Sequence, residues 1–344
     1  MFVKLKDQVI ITVHVDDFLV SGPPKIVDDL LDALKKAKIK IREEGRLRAE
    51  GDSFKCLGRC VIQTSEGYAT SGKEALVEKL VKDLGVEAAK AVDTPCVRLA
   101  AEDLELAKEL LPEEEWKIVR GQIGVVLYLS HDRIDIQFAA KQLARDLSKP
   151  STLTVKRLKR VAKYLKTYPK MWMYFDALTG RCHVKVVVDG DWGGDADDRA
   201  STAGGLVCLN DVLVSSWART QKAKALSTAE SEYYAIAMGV TEGMYVQQLL
   251  QELEIEADLQ VFTDSSAAKA FAERLGNTRM RHIALKELFV KQMAKDGLIS
   301  LQKIRGEVNG ADMLTKPLTR QRLELCLSQV QSIRFTHPSA RVSP

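Results

Sequence analysis

The stretch Val184-Lys185-Val186-Val187-Val188-Asp189 is a β-branched run that ends on a carboxylate. Short apolar runs rich in valine are typical of buried β-strands. A second run, Leu259-Gln260-Val261-Phe262-Thr263-Asp264, ends in the same way. Asp189 and Asp264 are therefore expected to project from the C-terminal ends of two strands.

Two further acids, Glu232 and Asp312, lie near the starts of predicted helices. Converging carboxylates are ligands for hard cations, and an all-oxygen site suits Mg²⁺. Two Mg²⁺ ions about 4 Å apart can hydrolyse a phosphodiester, with one ion activating water and the other stabilising the leaving oxygen. The sequence thus predicts a nuclease whose catalytic residues and metal ligands are Asp189, Glu232, Asp264 and Asp312, with Asp189 bridging the ions.

Local structure can account for some of the acids near these four. Glu230 completes the capping box that begins at Ser227, and Asp191 would share the strand face of Asp189 as a supporting or loop residue. Asp264 and Asp312 could each be a helix N-cap instead of a ligand. Both alternatives stay open at this point, although four separate structural roles in this order would be an unusual coincidence.

Length and composition describe a globular chain of about two domains, since a domain has roughly 100–200 residues. The 344 residues are 46% hydrophobic and 28% charged, and the net charge of +4 permits nucleic-acid binding without requiring it. No run approaches the ~18 apolar residues of a membrane span. The six cysteines lack zinc-site spacing and the start lacks a secretory pattern, so we expect reduced thiols and an intracellular protein.

The first half alternates between hairpins and helices. Gln8–Ser21 predicts a hairpin with Asp16 and Asp17 at its tip, and Lys25–Lys38 predicts an amphipathic helix. A second hairpin, a helix over 71–83 and a mainly helical region over 99–147 follow. We place the domain boundary between Tyr174 and Arg181.

A basic amphipathic helix is predicted over Val155–Tyr168. Its charges could be a solvated face above an apolar core stripe, or they could follow a phosphate backbone. In the second case the nucleic-acid-binding residues would be Lys156, Arg157, Lys159, Arg160 and Lys163.

The second half predicts three strands, a long helix and then strand–helix alternation, which favours a mixed α/β sheet with helices on both faces. The predicted elements are strands over 184–188, 205–209, 212–217, 259–263 and 299–304, and helices over 228–253, 267–275 and 283–295. RNA selectivity would need contacts to 2′-hydroxyls, for which Ser266 and Asn309 are candidates. His282 is either a substrate contact or a packed helix-start residue.

The chain resembles the C-terminal part of a copia-type long-terminal-repeat retrotransposon Pol polyprotein, its reverse transcriptase end joined to ribonuclease H. The motifs that carry the resemblance in the second half are Val188–Trp192, Asp198–Gly204, Ala225–Tyr233, Thr263–Ala267 and Ala311–Leu318. The resemblance implies an α/β (α+β) ribonuclease H-like mixed five-stranded sheet. It also implies Mg²⁺-dependent cleavage of RNA in RNA–DNA hybrids, with Mn²⁺ as a substitute ion and the same four carboxylates.

The front half is similar to a partial reverse transcriptase palm followed by a helical thumb or connection region. Val15-Asp16-Asp17 resembles the acidic polymerase hairpin, which makes Asp16 and Asp17 metal ligands by resemblance. His14 replaces the usual tyrosine, and Arg133-Ile134-Asp135 lacks the common proline. The implied domains are a reverse transcriptase part over 1–178, a ribonuclease H-like part over 182–330 and a flexible tail over 331–344.

A two-metal polymerase needs a third carboxylate, and the segment that would supply it is absent before Met1. We therefore expect no polymerisation by this chain alone, unless the missing polymerase portion of Pol acts as a partner. The family implies a cytoplasmic virus-like particle or the nucleus as location, and no membrane. Two alternatives to an active ribonuclease H are a silent nucleic-acid-binding remnant and, on weaker grounds, an integrase-like enzyme, against which Asp312 argues.

Overall fold

The computed structural model describes residues 2–195, 198–274 and 288–335. Its strands form three separate sheets. Within the described residues the strands are β1 Phe2–Lys4, β2 Val9–His14, β3 Asp17–Ser21, β4 Ser53–Cys56, β5 Arg59–Gln63, β6 Gly67–Ser71, β7 Trp172–Asp176, β8 Cys182–Asp191, β9 Thr202–Leu209, β10 Val212–Thr220, β11 Ala257–Thr263, β12 Ser300–Lys303 and β13 Ile333–Arg334.

Ten α-helices lie within the same ranges, together with short 3-10 helices such as Gly310–Leu314. The α-helices are α1 Pro24–Lys36, α2 Glu74–Asp83, α3 Ala101–Lys108, α4 Glu113–Leu129, α5 Gln137–Arg145, α6 Thr152–Thr167, α7 Thr228–Glu252, α8 Ser266–Glu273, α9 Phe289–Lys295 and α10 Arg320–Ser328. The first five residues of the predicted helix over 283–295 lie outside the described residues, as does His282.

The sheet of the second half has the order β10-β9-β8-β11-β12. β8, β9 and β10 form an antiparallel meander, and β11 and β12 then add in parallel beside β8. This arrangement confirms the mixed five-stranded sheet with flanking helices that the sequence predicted. β8 is central, so its apolar residues are covered on both faces.

The two faces of this sheet bury different cores. Val184, Val186 and Val188 of β8 pack with α7 and α8 on one face. On the other face, Leu206 and Cys208 of β9 pack with a cluster that includes residues of α2, α4, α5 and α6. Since side chains alternate along a strand, one sheet serves both cores. The helices of the first half therefore pack directly on the sheet of the second.

The remaining sheets come from the first half and the C-terminus. β1, β2 and β3 form a small antiparallel sheet, which confirms the hairpin with Asp16 in its turn. The other has the order β13-β7-β6-β5-β4, so Ile333–Arg334 pairs with β7. The Leu213 N–H also donates to the hydroxyl of Ser332. The structure thus places 331–335 within the fold, although the sequence predicted a tail from 331; residues 336–344 are outside the described ranges.

Candidate metal centre

Three of the predicted carboxylates meet at one end of the central strands. Asp189, Glu232 and Asp264 each offer an oxygen that lies within 4.8 Å of the other two. β8 and β11 are parallel neighbours, with Val187 opposite Phe262, so Asp189 and Asp264 follow at the same level. Glu232 comes from the first turns of α7. The sheet register and one helix therefore bring together three of the four carboxylates that the sequence predicted.

Gly190 allows α7 to bring Glu232 this close. A Cβ on residue 190 would lie 2.7 Å from the carbonyl oxygen of Ser231 and 2.9 Å from the backbone nitrogen of Glu232. Real Cβ atoms do not approach backbone this closely, so a side chain at 190 would push the helix away. The Gly190 N–H also donates a hydrogen bond to the Glu232 carboxylate. Gly190 was not predicted as a site residue, although a glycine between two acids in a strand signals a close approach.

Hydrogen bonds exclude the capping alternative for two acids. Ser265, not Asp264, is the N-cap of α8, because its side chain accepts from the Ala268 N–H. Likewise Asn309 caps the 3-10 helix Gly310–Leu314 by accepting from the Ala311 N–H. Neither Asp264 nor Asp312 therefore has a capping role to explain it.

Glu230 has a structural role at the start of α7, as predicted, although its carboxylate accepts from the N–H of Leu226 rather than from that of Ser227. The Ser227 side chain accepts from the Glu230 N–H, and the Glu230 carboxylate accepts from the Leu226 N–H and the Tyr234 hydroxyl. Asp191 turns toward the following loop, where a Cβ on Gly194 would lie 1.6 Å from its Oδ2. Neither residue belongs to the three-carboxylate group.

Asp312 lies beside the group but outside it. Its Oδ2 accepts from the Arg322 guanidinium at 2.6 Å, and its Oδ1 lies 2.7 Å from Nζ of Lys316. Lys316 also reaches Asp189, 3.5 Å from Oδ2, and the Thr315 hydroxyl donates to the same oxygen. These three partners, Thr315, Lys316 and Arg322, were not predicted from the sequence. Lys316 lies only four residues after Asp312, but tertiary folding is needed to bring Thr315 and Lys316 to Asp189.

Burial raises the pKa of two of these acids, Glu232 and Asp189. Burial raises the pKa of Glu232 to about 9, and the nearby Asp189 and Asp264 add to the shift. Burial likewise raises the pKa of Asp189 to about 6, although Lys316 and Thr315 oppose the shift. One Glu232 oxygen, Oε2, is buried without a hydrogen-bond partner among the described residues. Binding a proton or a cation stabilises a buried carboxylate that lacks a hydrogen-bond partner.

The donor set fits a hard divalent cation. It offers three carboxylates from separate elements and no sulfur or imidazole ligand in the group, and one of the three, Glu232, has a buried oxygen without a hydrogen-bond partner among the described residues. All-oxygen coordination is what Mg²⁺ prefers in proteins. The chemistry of the site therefore agrees with the ion predicted from the sequence.

Asn309 is held away from any substrate. It is fully buried, its amide donates to the Val188 carbonyl at 3.1 Å, and its oxygen caps the Asp312 segment. We therefore correct the expectation of a 2′-hydroxyl contact: Asn309 positions the Asp312 segment against β8. Ser266, by contrast, is exposed at the first position of α8.

The basic helix α6 is largely engaged with its own chain. Lys156 pairs with Asp103 at 2.6 Å, Arg157 with Asp146 at 2.9 Å, and Arg160 donates to Thr94. These contacts favour the alternative of charges above a core stripe for three of the five cations. Lys159 is exposed and Lys163 half-buried, so these two remain suited to a phosphate backbone.

Asp16 and Asp17 stand apart from the centre described above. Both are exposed at the turn between β2 and β3. In the described parts of the chain, they belong to no group of three metal-ligating side chains. In the described residues, the metal site predicted at Asp16 and Asp17 therefore consists of no more than these two carboxylates.

No protein-family model matches the chain. Several curated proteins are similar to it in sequence. It is 27% identical over 329 residues to the retrovirus-related Pol polyprotein from transposon RE1 of Arabidopsis thaliana, covering 94% of this chain and 22% of that protein. It is also 27% identical over 338 residues to the corresponding polyprotein from transposon TNT 1-94 of Nicotiana tabacum, covering 92% and 24%. The chain thus spans about a quarter or less of the length of these relatives.

Among solved structures, the chain is similar to the foamy viral protease-reverse transcriptase in complex with double-stranded DNA. That likeness has 11% identity and a TM-score of 0.47, and it covers 86% of this chain and 55% of the other. Among the described residues no helix has the length and apolar character needed to cross a membrane. Over nine-tenths of its length, this chain is a homologue of the Pol polyproteins of plant retrotransposons.

Proposed function

We propose that the chain is a divalent-cation-dependent ribonuclease H that cleaves the RNA strand of RNA–DNA hybrids. The observation that supports this most is the buried group of Asp189, Glu232 and Asp264, whose oxygens lie within 4.8 Å of one another. Homology to Pol polyproteins and the ribonuclease H-like sheet order agree with it. Catalytic roles are proposed for these three residues and for Asp312.

The chain's own groups prepare the site for two Mg²⁺ ions. When bound, the ions would activate water for attack on the scissile phosphate and stabilise the departing oxygen. Thr315 orients Asp189 through its hydroxyl, and the Gly190 N–H orients Glu232. Asp312 is oriented by Arg322. These contacts hold the carboxylates in place before an ion arrives, which reduces the reorganisation that binding requires.

For the first half, we propose a partial reverse transcriptase that does not polymerise by itself. Asp16 and Asp17 are exposed and have no third carboxylate beside them among the described residues. The β1–β3 sheet also exposes large apolar side chains, including Phe2 at 67% and Val15 at 83%. Exposed apolar groups of this size are typical of an interaction surface. The proposed partner is a polymerase portion of Pol that supplies the missing carboxylate.

The proposed domains are those predicted from the sequence, 1–178 and 182–330. The sheet formed by 182–330 is separate from the sheets to which 1–178 contributes, which supports the division, while the shared core indicates that the two parts fold against each other. From the relatives we also propose an intracellular location, in a cytoplasmic virus-like particle or the nucleus.

The test compares cleavage and binding of a labelled hybrid by the full chain with Mg²⁺, by Asp189→Asn and by Glu232→Gln. We expect each variant to lose at least ~10²-fold in cleavage rate, because each removes a charge placed for the transition state. Asp258→Asn changes an exposed acid near the start of β11, the strand that ends just before Asp264, and this acid pairs with Arg181; the variant should cleave normally. If Asp189→Asn and Glu232→Gln cleaved the hybrid as fast as the unchanged protein and Asp258→Asn do, the site assignment would be overturned.

Binding without cleavage by the unchanged protein would favour a different function, that of a silent nucleic-acid-binding protein. The assay therefore needs a binding readout, such as fluorescence anisotropy of the same hybrid, recorded with and without Mg²⁺.

A further inference from the structure

Lys316 places a positive charge between two of the carboxylates proposed to hold ions. Its Nζ lies 3.5 Å from Oδ2 of Asp189 and 2.7 Å from Oδ1 of Asp312. Both acids are buried, with exposed fractions of 2% and 7%. Buried charges need a counter-charge. Here the Lys316 ammonium supplies the positive charge that a bound divalent cation would otherwise supply.

Arg322 is a fixed partner of Asp312 by comparison. Its guanidinium donates to Oδ2 of Asp312 at 2.6 Å and to the Gly306 carbonyl at 2.5 Å, and also to the Glu307 carbonyl. Three acceptors hold this planar group in one orientation. Asp312 therefore keeps one oxygen bound to Arg322, and only Oδ1 is left for another cation.

Lys316 is held by fewer contacts than Arg322, and its side chain is partly exposed to solvent. Its contacts at the centre are the two ion pairs, and its side chain is 34% exposed. A lysine ammonium is a compact charge on a flexible four-carbon stem, so it can move into solvent without disturbing the backbone. Lys316 can thus leave Asp189 and Asp312, whereas Arg322 stays.

We propose that Lys316 competes with a second divalent cation for Asp189 and Asp312. The chain then holds one ion tightly at Asp189, Glu232 and Asp264, and it takes a second ion only when Lys316 withdraws. Lys316 in this way sets the order in which the ions bind and the concentration that the second one requires. The inference rests on the proposed function, because it assumes that the carboxylate group binds ions.

The test measures Mn²⁺ binding to the full chain without nucleic acid, by electron paramagnetic resonance of free Mn²⁺ and by calorimetry. For the unchanged protein we expect one tight ion and a second that binds much more weakly. Lys316→Gln should bind the second ion at least about tenfold tighter, since a competing unit charge is gone. Lys316→Arg keeps the charge and should keep the second ion weak. Lys79→Gln, which removes an exposed lysine of α2, should match the unchanged protein.

Several results would overturn the proposal. Two equally tight ions in the unchanged protein would show that Lys316 does not compete, and so would an unaltered second affinity in Lys316→Gln. A weaker second ion in that variant would mean that Lys316 positions Asp312 for the ion instead. Thermal melting of each variant confirms that the fold is kept. Failure of the first ion to bind, or its retention by Asp189→Asn, would contradict the proposed metal centre itself and thereby the inference with it.

Discussion

The backbone of Gly190 lies so close to that of Glu232 that a Cβ on residue 190 would stand 2.9 Å from the Glu232 nitrogen. Strand β8 and helix α7 therefore touch through backbone at the point where Asp189 and Glu232 meet. Gly190→Ala should destabilise the protein by roughly 1–3 kcal/mol, the usual cost of overpacking. It should also reduce cleavage, because Glu232 moves with the helix. Chemical denaturation measures the first effect.

Gly121 provides the matched control for this substitution. It lies inside α4, and a Cβ there meets nothing within 4 Å. Gly121→Ala should be neutral or stabilise the protein by up to about 1 kcal/mol, because alanine favours the helix. Equal effects of the two substitutions would contradict the role given to Gly190.

Glu232 should make the ion-free protein less stable as the pH rises. Its ordinary pKa is 4.5, and burial raises it to about 9 in the folded chain. Between these values the folded state binds a proton that the unfolded state has released, so stability falls with rising pH. Glu232→Gln should remove this loss and stabilise the ion-free protein at pH 8 by roughly 2–4 kcal/mol. Thermal melting in a chelator at pH 5 and pH 8 measures it.

An unchanged melting difference between pH 5 and pH 8 in Glu232→Gln would contradict this assignment. Asp189, with its pKa raised to about 6, adds a smaller effect of the same sign over about pH 4–6. Binding of a divalent cation should accordingly release protons at neutral pH, mainly from Glu232. Calorimetry in two buffers of different ionisation enthalpy measures this release.

The cations of α6 should separate into two kinds. Lys159→Gln and Lys163→Gln should weaken hybrid binding without altering stability. Each should also lower the slope of log affinity against log salt by about 0.7–0.9, the value for one phosphate neutralised by one lysine. Lys156→Gln should instead destabilise the protein slightly, by less than about 1 kcal/mol, because the ion pair with Asp103 is partly exposed. If Lys156→Gln weakened hybrid binding and left stability unchanged, Lys156 would instead be a phosphate contact.

Asn309 should behave as a positioning residue. It is fully buried and joins the Asp312 segment to β8 through the Val188 carbonyl. Asn309→Ala should cost about 1–3 kcal/mol, the penalty for leaving buried polar groups unpaired. A stable variant that lost only the preference for RNA would contradict this and support a substrate contact. Denaturation and cleavage of matched RNA and DNA strands distinguish the two outcomes.

The fold and the three-acid group followed from local patterns. Apolar runs that end on Asp189 and Asp264 predict adjacent strand ends, and the capping box at Ser227 separates Glu230 from Glu232 within one turn of helix. Periodicity and capping are properties of neighbouring residues, so the sequence carries them directly.

Tertiary contacts could not be predicted in the same way. The partner of Lys156, Asp103, lies 53 residues away in the sequence, and nothing local separates a paired lysine from a free one. Lys316 lies one helical turn after Asp312, so that pair is local, but its contact with Asp189 depends on how the C-terminal segment packs against β8. β13 was missed because two residues are too short for a strand pattern.

The central claim is tested most directly by cleavage of an RNA–DNA hybrid whose two strands carry different end labels. With Mg²⁺ the protein should shorten the RNA strand and leave the DNA strand intact, and a chelator should abolish the reaction. An RNA strand that stays intact while the hybrid is bound, or cleavage of both strands alike, would contradict the assignment of this chain as a ribonuclease H.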